Sequence, residues 1–390
     1  MGVRTRLALY YAALFAALGV GVPFWPVWLE SRGLGPDAIA LVLGAGQWVR
    51  IVASPAAGAF VDRSGRRRAT MVALAIIASL AFVAFDHAAG LLVFVALSAL
   101  ANGALIPLIP LADSLTLARE KSHGISYGSI RLWGSLSFIV ASLVAGELLA
   151  IGPKDVIVWS LIAVTAVTAV AALGLPDPPE SRSRLRPAPV GKLLRQRSFL
   201  VFLAAGAMAQ ASHSVYYAFG SIHWAAAGHS PTIVGALWAL GVLAEVALFV
   251  VGTRLTTRFS PATLIAVGSI GGLVRWLILG STTSLGALVV AQVLHAATFG
   301  AVHLGAMRFL SSRVPMGLAA RGQTIYAAVV GGGAMGIAIP LAGPLYRVVG
   351  GAAFYYAAGF SAVALVLALV LALVVDDDDD DDDAAPEPAD

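Results

Sequence analysis

Apolar runs of membrane-spanning length recur twelve times along this chain and constrain its fold more than any other feature. A helix needs about 20 consecutive apolar residues to cross the hydrocarbon core of a bilayer. A soluble chain of 390 residues would not be 59% hydrophobic and only 12% charged, so the composition agrees with the runs. The predicted spans, numbered 1 to 12, are Leu7–Leu29, Ala38–Val61, Ala69–Phe85, Leu91–Ala118, Tyr127–Ala150, Val156–Leu175, Phe199–Ala226, Ile233–Leu255, Thr263–Leu279, Leu285–Leu310, Thr324–Tyr346 and Ala352–Val375.

Basic side chains are distributed unevenly between the two ends of these spans. If both termini are cytoplasmic, only Arg32, Lys154 and Arg347 fall outside the cell. Cytoplasmic loops of membrane proteins carry an excess of Lys and Arg. The first apolar run is too long for a signal peptide, so we expect it to be retained as span 1. The sequence therefore predicts a multi-pass protein of the inner (plasma) membrane with both termini in the cytoplasm.

A polar, proline-rich stretch after span 6 divides the chain into two parts of six spans. We predict an N-terminal bundle at 1–175, a cytoplasmic linker at 176–197, a C-terminal bundle at 198–375 and a disordered acidic tail at 376–390. A shift of 195 residues superposes the Gly-x-x-Pro turn at Gly33 on the one at Gly228, which indicates a duplication. The predicted fold class is all-α integral membrane, with twelve transmembrane helices in two pseudo-symmetric six-helix bundles.

Two ionisable residues near mid-span are the strongest candidates for function. Such a group costs roughly 2.5–3.5 kcal/mol at the centre of a membrane helix, so it faces a wet cavity or a partner. Arg50 lies midway along span 2, one helical turn after Gln47. It either receives a substrate carboxylate or pairs with an acid on another helix. The duplication places Glu245 opposite Arg50, and we expect this carboxylate to carry a proton rather than to form a static pair with Arg50 or Arg275.

Spans 4, 5 and 10 contribute further polar positions. Asp113 and Arg131 both lie toward the cytoplasmic half, so that a pair between them is expected, either to hold the N-terminal half together or to bind substrate. In span 10, at about 100° per residue, one helical stripe contains Gln292, His295, Phe299 and His303, whereas Arg308 points away from it as a gate or anchor. A lone buried histidine is usually just hydrogen-bonded in place, but two histidines on one stripe suit a proton path.

The turn between spans 2 and 3 has a specific spacing, Gly-x-x-x-Asp-Arg-x-Gly-Arg-Arg. Its residues are Gly58, Asp62, Arg63, Gly65, Arg66 and Arg67. Asp62 can pair with a neighbouring helix end in one conformation and be released in another, or the turn is only a positive-inside anchor. The spacing resembles the loop between helices 2 and 3 of the major facilitator superfamily of transporters.

Longer segments resemble one branch of that superfamily. Pro23-Phe24-Trp25, Arg131-Leu-Trp133, Leu243-Ala-Glu245, Val274-Arg275-Trp276 and Gln292-x-x-His295-x-x-Thr-Phe299-x-x-x-His303 are similar to the phenylpropionate permease branch. The resemblance covers spans 1 to 12 and implies alternating access with proton-driven import of a small aromatic acid. The functional charged residues that it implies are Arg50, Asp113, Arg131, Glu245, Arg275, His295, His303 and Arg308.

The predicted site falls into three groups. The substrate-binding candidates are Tyr11, Trp25, Gln47, Arg50, Gln210, His213, Tyr217, Gln292 and Phe299. The proton-coupling candidates are Asp113, Glu245, His295 and His303. The charge-pair and gating candidates are Gly58, Asp62, Arg63, Gly65, Arg66, Arg131, Arg275 and Arg308.

Several classes of function are excluded by the sequence. The chain has no cysteine, no phosphate-binding loop, no nucleophile elbow and no histidine pair at metal-binding spacing. We therefore expect no enzymatic activity, no metal site and no cofactor. The basic residues flank apolar spans, which argues against nucleic acid. The expected partners are a small-molecule substrate, a proton and the bilayer, with the protein a monomer. Three alternatives stay open: a proton-coupled drug or metabolite exporter, a nucleoside or sugar symporter, and a membrane assembly factor without transport.

Overall fold

The computed structural model describes residues 2–123, 126–176, 190–315 and 318–383, and the regular structure in these ranges is entirely helical. The helices before the predicted linker are α1 Val3–Ser31, α2 Pro36–Ser64, α3 Arg67–Asp86, α4 Leu91–Leu105, α5 Leu108–His123, α6 Tyr127–Ile151 and α7 Val156–Leu173. Those after it are α8 Arg197–Ala211, α9 Ser214–Ala226, α10 Pro231–Val250, α11 Gly252–Arg258, α12 Pro261–Ser281, α13 Leu285–Val293, α14 Val302–Arg313, α15 Ala319–Tyr326, α16 Met335–Val349 and α17 Ala353–Asp383.

Eleven helical stretches of the described ranges are long and apolar enough to cross a membrane. The last of them, Arg321–Val375, contains 55 residues, which at 1.5 Å per residue is more than twice the hydrocarbon thickness of about 30 Å. A 3₁₀ turn, Gly350–Ala352, divides it, and Gly350 has a φ of +55° that favours glycine. This stretch therefore crosses twice, and the twelve predicted spans are confirmed.

The predicted linker and tail are only partly described. Most of 176–197 lies outside the described residues, apart from a 3₁₀ turn at Val190–Arg195 and the start of α8. The backbone of α17 continues through the aspartates to Asp383, beyond the predicted end of span 12 at Val375. The disorder expected for the tail stays a prediction, since 384–390 lie outside the described residues.

Five spans are interrupted where the sequence predicts continuous helices. Span 8 breaks at Val251, between α10 and α11. Span 4 breaks between α4 and α5 at Pro107, which has no N–H to donate to the preceding turn. Span 7 breaks between α8 and α9, where the Ser212 hydroxyl donates to the Ala209 carbonyl at 2.7 Å, a bond that bends helices. Spans 10 and 11 contain π-helical segments, Ala296–Ala301 and Ala327–Ala334. Such segments widen a helix and are frequent at functional sites.

The two halves of the chain approach each other most closely at one membrane face. We call the face that carries the α2–α3 turn at Gly65 the basic face, and the face that carries the turns 32–35 and 350–352 the opposite face. At the opposite face, α6 meets α10 and α2 meets α16 through glycines: a Cβ on Gly146 would lie 2.6 Å from the Pro231 carbonyl oxygen, and one on Gly343 would lie 2.9 Å from the Asp37 Cα.

Two polar contacts lie beside these glycines. Arg347 Nε is 2.9 Å from Asp37 Oδ2, and the Thr232 hydroxyl donates to Glu147 at 2.8 Å. At the basic face, by contrast, α5 packs on helices of its own half, and so does α14. The conformation is therefore closed at the opposite face, whereas the main contacts of α5 and α14 at the basic face stay within their own halves.

Substituting Gly146 with valine tests which contact closes the opposite face. The branched side chain cannot fit against the Pro231 carbonyl, so Gly146→Val should separate α6 from α10 and open that face. Because the natural chain has no cysteine, a Gly331→Cys reporter in both backgrounds can be labelled by an impermeant maleimide from either side of oriented vesicles. We expect labelling from the opposite face to rise several-fold.

The matched control is Gly128→Val, near the basic end of the same helix, where a Cβ would have no contact closer than 4.0 Å. Identical labelling of the two variants from the opposite face would contradict the role given to Gly146.

Candidate functional site

Arg275 is the centre of a polar cluster inside the C-terminal half. Its side chain is completely buried. Nη1 donates to His295 Nδ1 and to the Thr298 hydroxyl, each at 3.0 Å, and Nη2 donates to Gln292 Oε1 at 2.9 Å. The guanidinium lies 4.4 Å from the ring centroid of Tyr216, a cation–π contact. Because arginine cannot lose its proton in a protein, the cluster holds a permanent positive charge.

The neighbouring spans supply the remaining partners of this cluster. Gln292 Nε2 donates to the Tyr216 hydroxyl at 2.9 Å and to the Leu237 carbonyl at 2.8 Å. His213 Nε2 lies 3.3 Å from the Thr298 hydroxyl, and the break in span 7 at residues 212–213 puts the ring there. Gln292 and His213, which the sequence suggests for substrate binding, are thus buried and bonded to protein in this conformation. They hold the Arg275 cluster together.

Glu245 lies at the edge of the cluster. Its Oε2 is 3.8 Å from His295 Nε2, and its side chain is 17% exposed. Within the described ranges this is its one ion-pair contact of 4.0 Å or less. Arg131 of the other half acts on this carboxylate electrostatically. Glu245 therefore borders the space between the halves, as the sequence predicts, but it forms no pair with Arg50 or Arg275.

The predicted stripe of span 10 is largely present. The His295 and Phe299 rings stack with centroids 5.6 Å apart, and Phe299 and His303 follow at 6.2 Å. His303 is exposed and also touches Phe249, at 6.0 Å. Gln292 and His295 both bond to the Arg275 guanidinium, so these two residues share a side of the helix, as predicted.

Asp113 and Arg131 do not form the expected pair. Asp113 Oδ1 accepts hydrogen bonds from the Tyr11 hydroxyl at 2.5 Å and from the Tyr127 hydroxyl at 3.1 Å. The Arg131 guanidinium lies 3.9 Å from the ring centroid of Phe15. Among the residues described, no Asp113–Arg131 contact falls within 4.0 Å. The aromatic residues of α1 therefore separate the two charges, and the Tyr11 hydroxyl is hydrogen-bonded to Asp113.

Arg50 is half-buried and has one side-chain hydrogen bond in the described part of the chain. Its Nη1 donates to Gln47 Oε1 at 3.1 Å, as their spacing on one helix face predicts. It faces Gly331 of the π-helical segment of span 11, where a Cβ would lie only 3.5 Å from Nη2. No carboxylate in the described part of the chain lies within 4.0 Å of it. The alternative of a structural ion pair is thus not realised in this conformation.

Tyr217 connects the two halves of the site. It lies within electrostatic reach of both Arg50 and Glu245. One side of its ring stacks on His213 at 5.6 Å between centroids, and Trp238 stacks at 6.1 Å. Arg50, Glu245 and Tyr217 therefore bring a cation, a carboxylate and an aromatic ring to the boundary between the halves.

Other predicted residues lie away from this group. Trp25 is buried against Trp28, with ring centroids 4.6 Å apart, and belongs to the core at the opposite face. Gln210 is half-buried two residues before the break in span 7, and Arg308 is half-buried on α14 toward the basic face. Gly58, Asp62 and Arg63 lie in the last turns of α2, and Gly65 and Arg66 form the α2–α3 turn, with Gly65 ending α2 at a φ of +67°. Asp62 is exposed.

Sequence reasoning missed three polar members of the site. Tyr127 and Thr298 bond to Asp113 and Arg275, and Tyr216 bonds to Gln292. Tyr127 lies one helical turn before Arg131, and Thr298 lies three residues after His295, so helical spacing from a buried charge was the available signal.

Comparisons with known proteins identify relatives of this chain. Residues 4–357 match the model of the MFS_1 like family. The chain is 36% identical over 355 residues to a probable 3-phenylpropionic acid transporter of Escherichia coli strain K12, covering 90% of this chain and 93% of that one. It is 26% identical to a maltose permease of Geobacillus stearothermophilus, over 84% of each chain.

Solved structures show the same fold. The nucleoside transporter NupG superposes with a TM-score of 0.82 at 14% identity, covering 96% of this chain and 99% of that one. A bacterial homologue of the human lysosomal transporter Spinster, in an inward-facing and occupied conformation, superposes with a TM-score of 0.76 at 16% identity. The match covers 99% of this chain and 98% of that one. At such identities the likeness concerns the fold alone.

Proposed function

This chain belongs to the MFS_1 like family of membrane transporters, and from that premise we propose that it is a proton-coupled symporter of a small aromatic carboxylate. The isolation of Arg50 carries the proposal. A cation at membrane depth costs roughly 2.5–3.5 kcal/mol, and Arg50 has only a neutral amide, Gln47, as a hydrogen-bond partner in the described part of the chain. A substrate carboxylate supplies the missing counter-charge.

The neighbours of Arg50 suit the rest of such a substrate. Gly331 places backbone without a side chain beside the guanidinium, and Tyr217 offers an aromatic ring within electrostatic reach of it. The relative with 36% identity is named a probable 3-phenylpropionic acid transporter, which supports the same substrate class. The nucleoside alternative has support from fold likeness only, at 14% identity.

Charge balance explains how the proton and the substrate are coupled. In the empty state Arg50 is positive and Glu245 is negative. A bound carboxylate and a proton on Glu245 leave the total charge unchanged, whereas either one alone changes it by one unit. Closing the basic face removes water from this space, and an additional net charge in a low-dielectric space costs several kcal/mol. The empty and the doubly loaded states therefore change conformation readily, and the half-loaded states do not.

The orientation follows from the basic residues. We place the basic face in the cytoplasm, because the α2–α3 turn and the helix ends beside it carry Arg63, Arg66, Arg67 and Arg68. In that orientation the closed face is the outer one, and the substrate and the proton are released into the cytoplasm.

Uptake into proteoliposomes tests the proposal directly. Labelled 3-phenylpropionate should accumulate when the outside is made acidic, and its uncharged amide and a nucleoside should not. A potassium–valinomycin clamp controls for the membrane potential. Accumulation of the acid that ignores the imposed pH gradient would remove the symport claim, and accumulation of the nucleoside alone would establish the alternative.

Arg50→Met should weaken binding of the carboxylate. A hydrogen bond to a charged group contributes about 1.5–3 kcal/mol, which corresponds to roughly a 10- to 100-fold loss of affinity. Arg50→Lys keeps the charge without the two-pronged geometry and should lose less. Titration of the purified protein with the acid and with its amide provides the measurement. Equal losses for both ligands would mean that Arg50 does not contact the carboxylate.

Glu245→Gln should separate exchange from accumulation. The glutamine resembles a permanently protonated carboxyl, so that the loaded protein still changes conformation but cannot release a proton. We expect exchange of internal for external substrate to continue while uphill accumulation is lost. Glu147→Gln, at the opposite face, is the matched control. If Glu245→Gln still concentrates substrate, the proton carrier is another group.

A further inference from the structure

His295 lies between two charged groups, with one ring nitrogen directed at each. Its Nδ1 is 3.0 Å from Arg275 Nη1, and its Nε2 is 3.8 Å from Glu245 Oε2. The imidazole therefore lies between Arg275 and Glu245, which form no direct pair with each other.

The chemistry of arginine determines where the imidazole proton lies. A guanidinium has five N–H donors and no acceptor, so the 3.0 Å contact requires a lone pair on His295 Nδ1. The single proton of the neutral ring must then be on Nε2, facing Glu245. A second proton would place an N–H of a charged ring against an N–H of Arg275.

The ring has little freedom to exchange its two nitrogens by rotation. The ring packs against the backbone of α10, where a Cβ on Gly241 would be in van der Waals contact with His295 Cδ2, at 3.4 Å. Phe299 stacks on the ring, at 5.6 Å between centroids. The titratable or charged groups that face His295 from the surrounding helices are Glu245 on α10, Arg275 on α12, Tyr216 on α9, with ring centroids at 6.3 Å, and His213 at the break of span 7, at 6.0 Å.

We propose that Arg275 is a positioning residue that acts through His295: it holds the imidazole in its Nε2–H tautomer and so keeps a fixed hydrogen-bond donor, not a second proton carrier, facing Glu245. The part that concerns Glu245 depends on its proposed role as the proton carrier. The remaining gap of 3.8 Å exceeds a hydrogen bond by about 1 Å. A small shift of α10 therefore decides whether the donor stabilises the ionised carboxylate.

The tautomer can be observed without any measurement of transport. Protein with ¹⁵N-labelled histidine rings, in liposomes, is studied by solid-state NMR, and the His295 signals are assigned by their loss in His295→Gln. We expect an unprotonated Nδ1 and a protonated Nε2 throughout about pH 6 to 8, the range in which an ordinary histidine titrates. A protonated Nδ1 in the natural protein at either end of that range overturns the proposal.

Variants of Arg275 test whether this residue fixes the tautomer of His295. Arg275→Met should allow the Nδ1–H tautomer or a doubly protonated ring, while Arg275→Lys, which still offers a donor to Nδ1, should preserve the natural tautomer. Arg254→Met, an exposed arginine at the basic face, should change nothing. An unaltered tautomer in folded Arg275→Met would show that another group fixes it. If that variant does not fold, Arg275→Lys and the natural protein still give a decision.

Uptake measurements then separate this inference from the proposed function. In Arg275→Met the dependence of substrate accumulation on external pH should shift, and Arg275→Lys should restore most of it. An unchanged pH profile in Arg275→Met overturns the inference alone. Uptake that ignores the pH gradient in every variant, with the tautomer as expected, overturns the proposed function and leaves the assignment of the tautomer intact.

Discussion

A positive charge that cannot be removed lies in a part of the membrane that water does not reach, and this constraint accounts for most of the architecture of the C-terminal half. Arg275 is completely buried, and no carboxylate in the described ranges lies within 4.0 Å of it. Its charge is spread over His295, Thr298 and Gln292 by hydrogen bonds and over the ring of Tyr216. Helices from several spans must converge to supply these partners, and the π-helical segment of span 10 is where they do so.

The N-terminal half manages its charges differently. Asp113 is satisfied by two tyrosine hydroxyls, and Arg131 lies against an aromatic ring. Both halves thus neutralise their charges mainly with neutral and aromatic groups, which do not change when a ligand arrives. Arg50 and Glu245 are left at the boundary between the halves with incomplete partners, and they are the charges that a substrate and a proton can alter.

Part of the fold and of the site could be predicted from the sequence. Hydrophobic run length gives the twelve spans, and helical periodicity gives the Gln47–Arg50 contact and the stacking of His295, Phe299 and His303. These features depend on one helix at a time. The separation of Asp113 from Arg131 and the partners of Arg275 depend on which helix faces are adjacent, and the sequence pattern of a single span does not contain that information. Trp25 illustrates the same limit, because an aromatic residue in a membrane span packs equally well on a substrate or on Trp28.

The glycines between α6 and α10 and between α2 and α16 have a mechanical consequence. At Gly146 and Gly343 backbone lies directly on backbone, so at these two points one helix can roll over the other without a change of rotamer. Resistance to that motion comes from the rim, where Asp37 and Arg347 are both about half exposed and such an ion pair contributes about 0–1 kcal/mol. The surface that closes the protein on one side of the membrane therefore also offers little resistance to rotation. The same glycine contacts hold the two halves together and let the helices rotate against each other.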